Sequence, residues 1–330
     1  MVVKLNPTNW FGLIKETLSD WSADKVPRLG AALAYYTIFS ISPLLIIVIA
    51  IAGFWLGRDL VQKSILSQLQ DMIGQQGAEA IAGMVASTEQ HPKVGMFATI
   101  LAIVTLLAGA TGVFIQLQDA LNSIWEVKPK PDSGIKAFVK SRFLSFALIL
   151  GIGFLLVVSL VISAALAALG KYLGGYLPGW QFLTRILNFS ISFGVIAMLF
   201  AMMFKFLPDV KLRWWDVFTG AVMTALLFTV GKALFAIYLG KSSVTSAYGA
   251  AGSLVVILLW VYYSSQIFFF GAEFTKVYTK KTGRKVELKK NAMWMSQSEA
   301  VGEPKPERDG AYKAKTMSSA KSTFGDSIVG

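Results

Sequence analysis

The sequence predicts an all-α, polytopic membrane helix bundle with six transmembrane helices, both termini cytoplasmic, and amphipathic helices outside the membrane. Of the 330 residues, 55% are hydrophobic and only 15% are charged, and the mean hydropathy of +0.58 is too high for a soluble domain. Several apolar runs reach the roughly 20 residues that a helix needs to cross a hydrocarbon core of about 30 Å. Lys and Arg concentrate on one side of these runs.

The six spans are expected within residues 30–279. They lie at about 30–56, 95–115, 143–169, 184–207, 216–239 and 252–274. Between the first two, residues 58–93 carry apolar stripes interrupted by Gly74 and Gly77, which predicts two short amphipathic helices on the outer side that cap the bundle.

The chain ends are expected to lie outside the bilayer. In residues 1–29, an amphipathic helix is predicted from Trp10, Ile14, Leu18 and Trp21, which recur at helical spacing. This helix rests either on the cytoplasmic face of the membrane or on the bundle itself. Residues 280–330 are basic and poor in apolar residues, which predicts a largely disordered cytoplasmic tail.

Positive residues orient the bundle, because they concentrate in short cytoplasmic loops. With both termini inside, the inner segments contain Lys4, Lys15, Lys25 and Arg28, then Lys128, Lys130, Lys136, Lys140 and Arg142, then Lys205, Lys211 and Arg213. The outer loops contain Arg58, Lys63 and Lys93, then Lys171 and Arg185, then Lys241. Each inner segment exceeds the outer loop that follows it, so the net charge of +12 indicates orientation rather than nucleic-acid binding.

Lys232 is the first candidate for a substrate-pathway residue, because it lies well inside the apolar run of the fifth span. Ala221, Ala225 and Ala236 share its helical face, as on helices that pack against other helices. Asn188 and Ser192 of the fourth span are expected at similar depth. The hypothesis is a positive point in an outward-opening cavity, suited to an anionic group; the alternative is a lysine that extends to the membrane interface.

A second set of candidates lies toward the cytoplasmic side. Tyr262, Gln266 and Glu273 share one face of the sixth span, and Gln116 and Asp119 share one face of the second. They either line the inner mouth of a pathway, where protonation or a cation couples to movement, or form ordinary interfacial hydrogen bonds. Pro43, near the middle of the first span, predicts a kink or local unwinding and is a hinge candidate, against a static kink that shapes packing.

The sequence predicts no catalytic residue, cofactor or metal site, and so no enzyme. Cys is absent, and the single His, His91, lies in a polar segment where a solvated side chain is the expected state. Phosphate-binding glycine motifs and a Ser-His-Asp set are also absent from the sequence.

Four segments carry a family resemblance: LGAALAYYTIFSISPLL, GATGVFIQLQDALNSIWEV, FLPDVKLRWWDVFTGA and YGAAGSLVVILLWVYYSSQIFFFGAEFTKVY. In this order, over about residues 24–278, they resemble the YihY/virulence factor BrkB family of bacterial inner-membrane proteins. The resemblance implies a multi-pass inner-membrane protein linked to envelope function, including virulence-associated serum resistance and a proposed part in moving lipid or lipopolysaccharide precursors. It supplies no agreed functional residues.

Some members of that family carry the label ribonuclease BN, which is widely regarded as an error. The sequence agrees, because phosphodiester cleavage normally needs clustered carboxylates with metal, or histidines, and this chain has one His and scattered acids.

The function favoured by the sequence is a transporter or flippase-like protein for an envelope solute, lipid or lipid precursor. The expected partners are membrane lipids, an anionic envelope solute or lipid precursor and a further copy of the chain, but not nucleic acid. The alternative is a non-transporting scaffold for envelope assembly or virulence-associated machinery. A polar cavity joining Lys232 to Glu273 would favour transport, and a dry, tightly packed bundle would favour the scaffold.

Overall fold

The structure, a computed structural model, describes residues 7–89, 112–130, 180–241 and 252–296. The helices are α1 (Pro7–Ala23), α2 (Val26–Leu56), α3 (Arg58–Glu89), α4 (112–124), α5 (Trp180–Phe206), α6 (Trp214–Lys241) and α7 (Gly252–Lys281). The strands are β1 (Val127–Pro129), β2 (Val210–Lys211), β3 (Glu287–Leu288) and β4 (Ala292–Trp294).

Three helices within the described ranges are long and apolar enough to cross a membrane. They cover Ile186–Phe206 of α5, Trp214–Leu239 of α6 and Leu254–Lys281 of α7, on the predicted fourth, fifth and sixth spans. The third predicted span, the outer part of the second, and His91 lie outside the described residues. The membrane-bundle class is therefore confirmed, while the number of six spans and the cytoplasmic placement of the termini stay predictions.

α7 is the helix around which the described bundle is built, because it contacts α1, α2, α3 and α6. Every residue from 271 to 279 on it is buried. This stretch includes Glu273 and Lys276. Two charged residues therefore lie in the most buried part of α7.

α6 and α7 pack through two reciprocal glycine–threonine contacts. A Cβ atom added at Gly220 would collide with Thr275, and one added at Gly271 would collide with Thr224. Each threonine hydroxyl donates a hydrogen bond of 2.7 Å to the carbonyl oxygen four residues earlier on its own helix. Because the hydroxyls are satisfied within their helices, the two backbones approach closely without leaving a polar group unpaired.

An aromatic core fills the space between α5, α6 and α7. The ring centroids of Phe200 and Phe228 are 5.6 Å apart, and those of Phe204 and Phe268 are 5.1 Å apart. Toward the other end of α7, Trp260 lies 5.8 Å from Phe228 and 4.9 Å from Phe235 by the same measure. Such rings bury large apolar areas, so this three-helix seam is held by packing rather than by polar contacts.

α3 consists of two helical segments, where the sequence predicts two short helices; their place outside the membrane stays a prediction. Its backbone leaves helical geometry at Gly74 (φ 77°, ψ 170°), a conformation that favours glycine, whereas Gly77 lies inside the second segment. Ile81 packs in a cluster with Phe235 and Trp260, at the opposite end of α7 from Glu273. The second segment therefore covers one end of the α6–α7 pair.

α2 runs through Pro43 as one continuous helix, so the local unwinding predicted there is absent from the structure. The helix is supported on that side by α3, since Ile49 clusters with Val61 and Val85. Ser40 donates its hydroxyl to the Tyr36 carbonyl oxygen at 2.9 Å. A hinge at Pro43 stays a hypothesis.

Residues 282–296 correct the prediction of a disordered tail beginning at residue 280. We call them the C-terminal strap. β3 pairs antiparallel with β2, and β4 pairs antiparallel with β1. Both partner strands follow the C-terminal ends of helices and share a local sequence, Val-Lys directly after an acidic residue. The strap therefore closes over the chain segments after α4 and α5, because each offers it a short exposed edge.

The N-terminal region contains a helix, α1, where the sequence predicts one; its cytoplasmic side stays a prediction. α1 ends at Ala23 and α2 already begins at Val26, rather than near residue 30, because Lys25 takes a left-handed conformation (φ 52°) that turns the chain sharply. Leu13 of α1 is buried against Phe274, Val277 and Tyr278 of α7. One face of α1 thus rests on the bundle.

Candidate functional site

Four residues form a buried charge cluster: Asp24, Glu126, Glu273 and Lys276. The Lys276 Nζ atom lies 3.1 Å from Asp24 Oδ2, 3.2 Å from Glu126 Oε1 and 3.8 Å from Glu273 Oε2. The side chains of Lys276 and Glu273 are 4% and 0% exposed, whereas that of Glu126 is 44% exposed. The cluster is therefore closed to water on the Glu273 side and open on the Glu126 side.

Three separate chain segments deliver these side chains. Asp24 lies in the turn between α1 and α2, and Glu126 lies between α4 and β1, where its own φ of 57° ends the helix. Glu273 and Lys276 are three residues apart on α7, so they share a face. The cluster consequently ties the start of α2 and the end of α4 to the C-terminal end of α7.

Negative charge exceeds positive charge in the cluster, since three carboxylates surround one ammonium group. The Glu273 carboxylate is fully buried, with the Lys276 ammonium group 3.8 Å from Oε2 and the negative charge of Asp24 acting on it. A buried carboxylate is costly unless a counter-ion or a proton offsets it. Of the four groups in the cluster, Glu273 is thus the one whose charged form is most disfavoured by burial.

Gln266 lies two turns before Glu273 on the same face of α7, as the sequence predicts. Its amide packs directly against Gly30 of α2, where any Cβ atom would collide with it. Both polar atoms of this amide are buried and have no hydrogen-bond partner among the described residues. Tyr262, one turn further, is 36% exposed. The polar face of α7 therefore points toward α2 and becomes more enclosed approaching Glu273.

Gln116 and Asp119 do not form any of the three ion pairs of Lys276. Gln116 is half-buried and Asp119 is exposed, whereas Asn122, one turn after Asp119 on α4, is buried. The Asn122 side chain donates a 2.9 Å hydrogen bond to Asp209 Oδ2 and accepts one of 2.8 Å from the Asp209 backbone N–H. The hydrogen bonds of Asn122 thus connect α4 to the segment between α5 and β2.

Lys232 is half-buried on α6, and within the described residues it makes no hydrogen bond or ion pair. Gly220 faces Thr275 and Thr224 faces Gly271, so Glu273 is level with residue 222 of α6. Lys232 lies ten residues further along the helix, about 15 Å away. The structure therefore does not bring Lys232 and Glu273 together, because the Thr224–Gly271 contact and the Phe228 ring lie between their levels.

The other predicted partners of Lys232 lie beyond its level, toward the N-terminal end of α5. In the antiparallel helices α5 and α6, Phe200 faces Phe228, so Lys232 is level with about residue 196. Ser192 is one turn beyond that level and is exposed, and Asn188 is two turns beyond it, with its Oδ1 atom buried and unpaired within the described residues. Ala221 and Ala225 are buried but Ala236 is exposed, so the small-residue stripe expected on this face ends before Ala236.

The strap contributes a further ion pair, whose carboxylate is buried in the first turn of α6. Arg284 pairs with Asp216, which is 1% exposed in the first turn of α6, where a negative charge also complements the helix dipole. Lys289 donates a 3.0 Å hydrogen bond to the Phe206 carbonyl oxygen. Burial lowers the pKa of Lys289, and the nearby Asp209 carboxylate opposes that shift. The strap is therefore anchored by partly buried charges rather than by surface pairs alone.

Replacing Arg284 with glutamine tests this anchoring. We expect a loss of about 1–3 kcal/mol in unfolding free energy, because the buried Asp216 carboxylate loses its charged partner. Lys211→Gln is the matched control: it breaks the 3.3 Å Lys211–Glu287 pair, whose side chains are 61% and 73% exposed, and should change stability by about 0–1 kcal/mol. SDS titration in mixed micelles, followed by tryptophan fluorescence, measures both; equal effects would contradict the anchoring role.

Among the described residues, no group of three or more His, Cys, Asp or Glu side chains is arranged to hold a metal ion. In the cluster, the three carboxylates instead converge on the Lys276 ammonium group. The arrangement holds buried charge at the C-terminal end of α7, and these four residues contain no nucleophile set beside a base.

Comparisons with known proteins place the chain among membrane proteins. A family model described as Virulence factor BrkB matches residues 17–294, a range that includes the whole cluster and the strap through β4. A UPF0761 membrane protein of Actinobacillus pleuropneumoniae is 26% identical over 284 residues, covering 83% of this chain and 97% of that relative.

Two further curated relatives are matched over less of their own length. A UPF0761 membrane protein of Pseudomonas aeruginosa is 27% identical over 250 residues, covering 76% of this chain and 58% of the relative. One of Tolumonas auensis is 36% identical over 73 residues, which are 22% of this chain and 24% of the relative. No solved structure matches the chain.

Proposed function

This chain belongs to the virulence factor BrkB family of membrane proteins, and we propose that it is a multi-pass inner-membrane transporter or flippase-like protein for an envelope solute, lipid or lipid precursor. Both termini are cytoplasmic in this proposal. The placement of both termini on one side is supported because α1, the C-terminal end of α7 and the strap all lie at the same end of the bundle.

The fully buried Glu273 is the observation that carries the proposal. It lies on a helix that is long and apolar enough to cross a membrane, and its carboxylate is withdrawn from water with the Lys276 ammonium group 3.8 Å away. Ionisable groups in transmembrane segments are expensive, and they usually mark ion or substrate pathways and proton relays. A helix that served only as a membrane anchor would gain from an apolar residue at this position.

In the proposed mechanism, the cluster acts as a closed cytoplasmic gate. Lys276 holds Asp24 of the α1–α2 turn and Glu126 after α4 against α7, so the inner ends of these helices are tied together. A change in the charge of Glu273 alters the balance of attraction around Lys276 and loosens this tie. Lys232 remains the proposed contact for an anionic group nearer the outer side, reached in a different state of the bundle.

A non-transporting scaffold is the second candidate. It is favoured by the packed aromatic core of α5, α6 and α7 and by the ordered strap, which gives the cytoplasmic end a folded surface. The two functions differ in what they require of Glu273: transport requires its charge to change, whereas a scaffold requires only that the bundle stay folded. Neither function makes the protein an enzyme.

Vesicle reconstitution tests the proposal. Wild-type protein and Glu273→Gln would be incorporated at matched amounts into vesicles loaded with a panel of labelled phospholipids, lipid-linked sugars and small anions. We expect at least one substrate to move faster than in protein-free vesicles, and to move several-fold more slowly with Glu273→Gln. Lys281→Gln, which alters a partly exposed pair on the same helix, is the control and should transport like the wild type. Movement of no panel member above the protein-free rate would instead support the scaffold.

A further inference from the structure

α1 crosses α7 at a steep angle. The Trp10 ring stacks on Phe274 with 6.1 Å between centroids, while Asp24, just after α1, contacts Lys276. Trp10 and Asp24 are 14 residues apart, about 21 Å along a helix, but their partners on α7 are only two residues apart, about 3 Å. Since α7 is long and apolar enough to span the membrane, α1 lies close to the membrane plane at its cytoplasmic end.

The exposed sides of α1 differ in character. Glu16 pairs with Lys281 at 2.8 Å, so its side of α1 faces the end of α7 that leaves the membrane. Phe11 and Leu18, which are 76% and 52% exposed, lie roughly 140–160° around the helix from Glu16 at 100° per residue. The exposed apolar edge of α1 therefore faces back toward the membrane-spanning part of the bundle.

Two exposed tryptophans indicate that the membrane–water interface lies at this end of the bundle. Trp214 and Trp215 begin α6 and are 47% and 68% exposed. Tryptophan is enriched at the boundary between water and lipid, and α6 continues from here into a segment long enough to cross the membrane. Exposed Lys15 and Arg28 add positive charge close to α1, suited to anionic headgroups.

We propose that α1 is an interfacial helix, and that Phe11 and Leu18 insert into the headgroup–acyl boundary of the cytoplasmic leaflet. The occupant of this apolar edge is lipid, because the edge faces the bilayer side of a helix that lies in the membrane plane. Burial by about 5–10 Å is typical of such helices. This inference does not depend on transport.

The interfacial helix is linked directly to the charge cluster. α1 is followed at once by Asp24, which contacts Lys276. Its other face is held by Leu13, which is fully buried against α7. A shift of α1 relative to the lipid surface therefore moves Asp24 with respect to Lys276. Changes in the cytoplasmic leaflet thus alter the Asp24–Lys276 contact through the short turn between α1 and α2.

Site-directed spin labelling tests the proposal, because the chain has no cysteine and each introduced cysteine is unique. Labels at Phe11→Cys, Leu18→Cys and Ser19→Cys would be compared in nanodiscs of phosphatidylethanolamine and phosphatidylglycerol. Ser19 is exposed on the polar side of α1 and is the matched control. We expect the labels at 11 and 18 to collide several-fold more with oxygen than with a water-soluble nickel complex, and the label at 19 to show the reverse.

Two results would overturn the proposal. If the labels at 11 and 18 collide with the nickel complex as often as the label at 19, the edge faces water. If they are protected from both reagents, the edge is covered by protein, and repeating the measurement on a chain ended after Ser296 identifies whether residues 297–330 form that cover.

Discussion

Lys276→Met is expected to lower the unfolding free energy by about 3–5 kcal/mol, because it leaves buried carboxylates without their shared counter-ion. The Lys276 side chain is 4% exposed, and those of Asp24 and Glu273 are 9% and 0% exposed. Methionine keeps most of the volume of lysine, so the loss reports charge rather than packing. SDS titration in mixed micelles gives the free energy.

Lys281→Met is the matched control for this prediction. It makes the same change five residues later on α7, where the Lys281–Glu16 pair is 33% and 44% exposed, and should cost about 0–1 kcal/mol. Adding Asp24→Asn to Lys276→Met should restore part of the loss, because it removes one of the stranded charges. Equal effects of the two lysine substitutions would mean that Lys276 is held by packing alone.

Gly271→Val is expected to cost about 3 kcal/mol or more, at or above the upper end of overpacking effects. A Cβ atom at this position stands 2.9 Å from Thr224 Cβ and 3.0 Å from Thr224 Cγ2, and collides with the Thr224 hydroxyl. α6 and α7 must then separate along the seam that carries their close contact. The same micelle titration measures the loss.

Gly194→Val supplies the control for packing, because nothing lies within 4 Å of a Cβ atom at Gly194 of α5. It should leave stability nearly unchanged. Thr224→Ala combined with Gly271→Val should recover part of the loss by removing the hydroxyl and methyl groups in the way. A Gly271→Val protein as stable as the wild type would show that α6 and α7 are further apart than the structure has them.

The elements that depend on local pattern could be predicted from the sequence. Apolar length predicts α5, α6 and α7, because hydrocarbon thickness sets helix length. The break at Gly74 also follows locally, since glycine tolerates the positive φ found there.

The charge cluster could be predicted only in part. Glu273 stands out because a carboxylate deep in an apolar run is costly. Lys276 has the appearance of an ordinary basic residue at the cytoplasmic end of a span, like Lys280 and Lys281. Its burial arises because the turn after α1 brings Asp24, 252 residues earlier in the chain, to within 3.1 Å. A contact over that separation leaves no periodic pattern in the sequence.

The strap could not be predicted from the sequence, for a related reason. β3 and β4 have two and three residues, too few for an alternating pattern, and they lie among charged residues that resemble a disordered tail. Their register is set by β1 and β2, which are equally short. What orders the segment is its partner edges and the Arg284–Asp216 pair, and neither is visible in local composition.

The comparison of Glu273→Gln with wild-type protein in the same vesicles tests the central claim most directly, because the substitution removes a charge while keeping size and shape. The central claim is that Glu273 is buried in order to change charge during transport. It predicts an unfolding free energy close to that of the wild type and a several-fold lower transport rate. Transport by Glu273→Gln at the wild-type rate would contradict it and leave Glu273 as part of a structural ion pair.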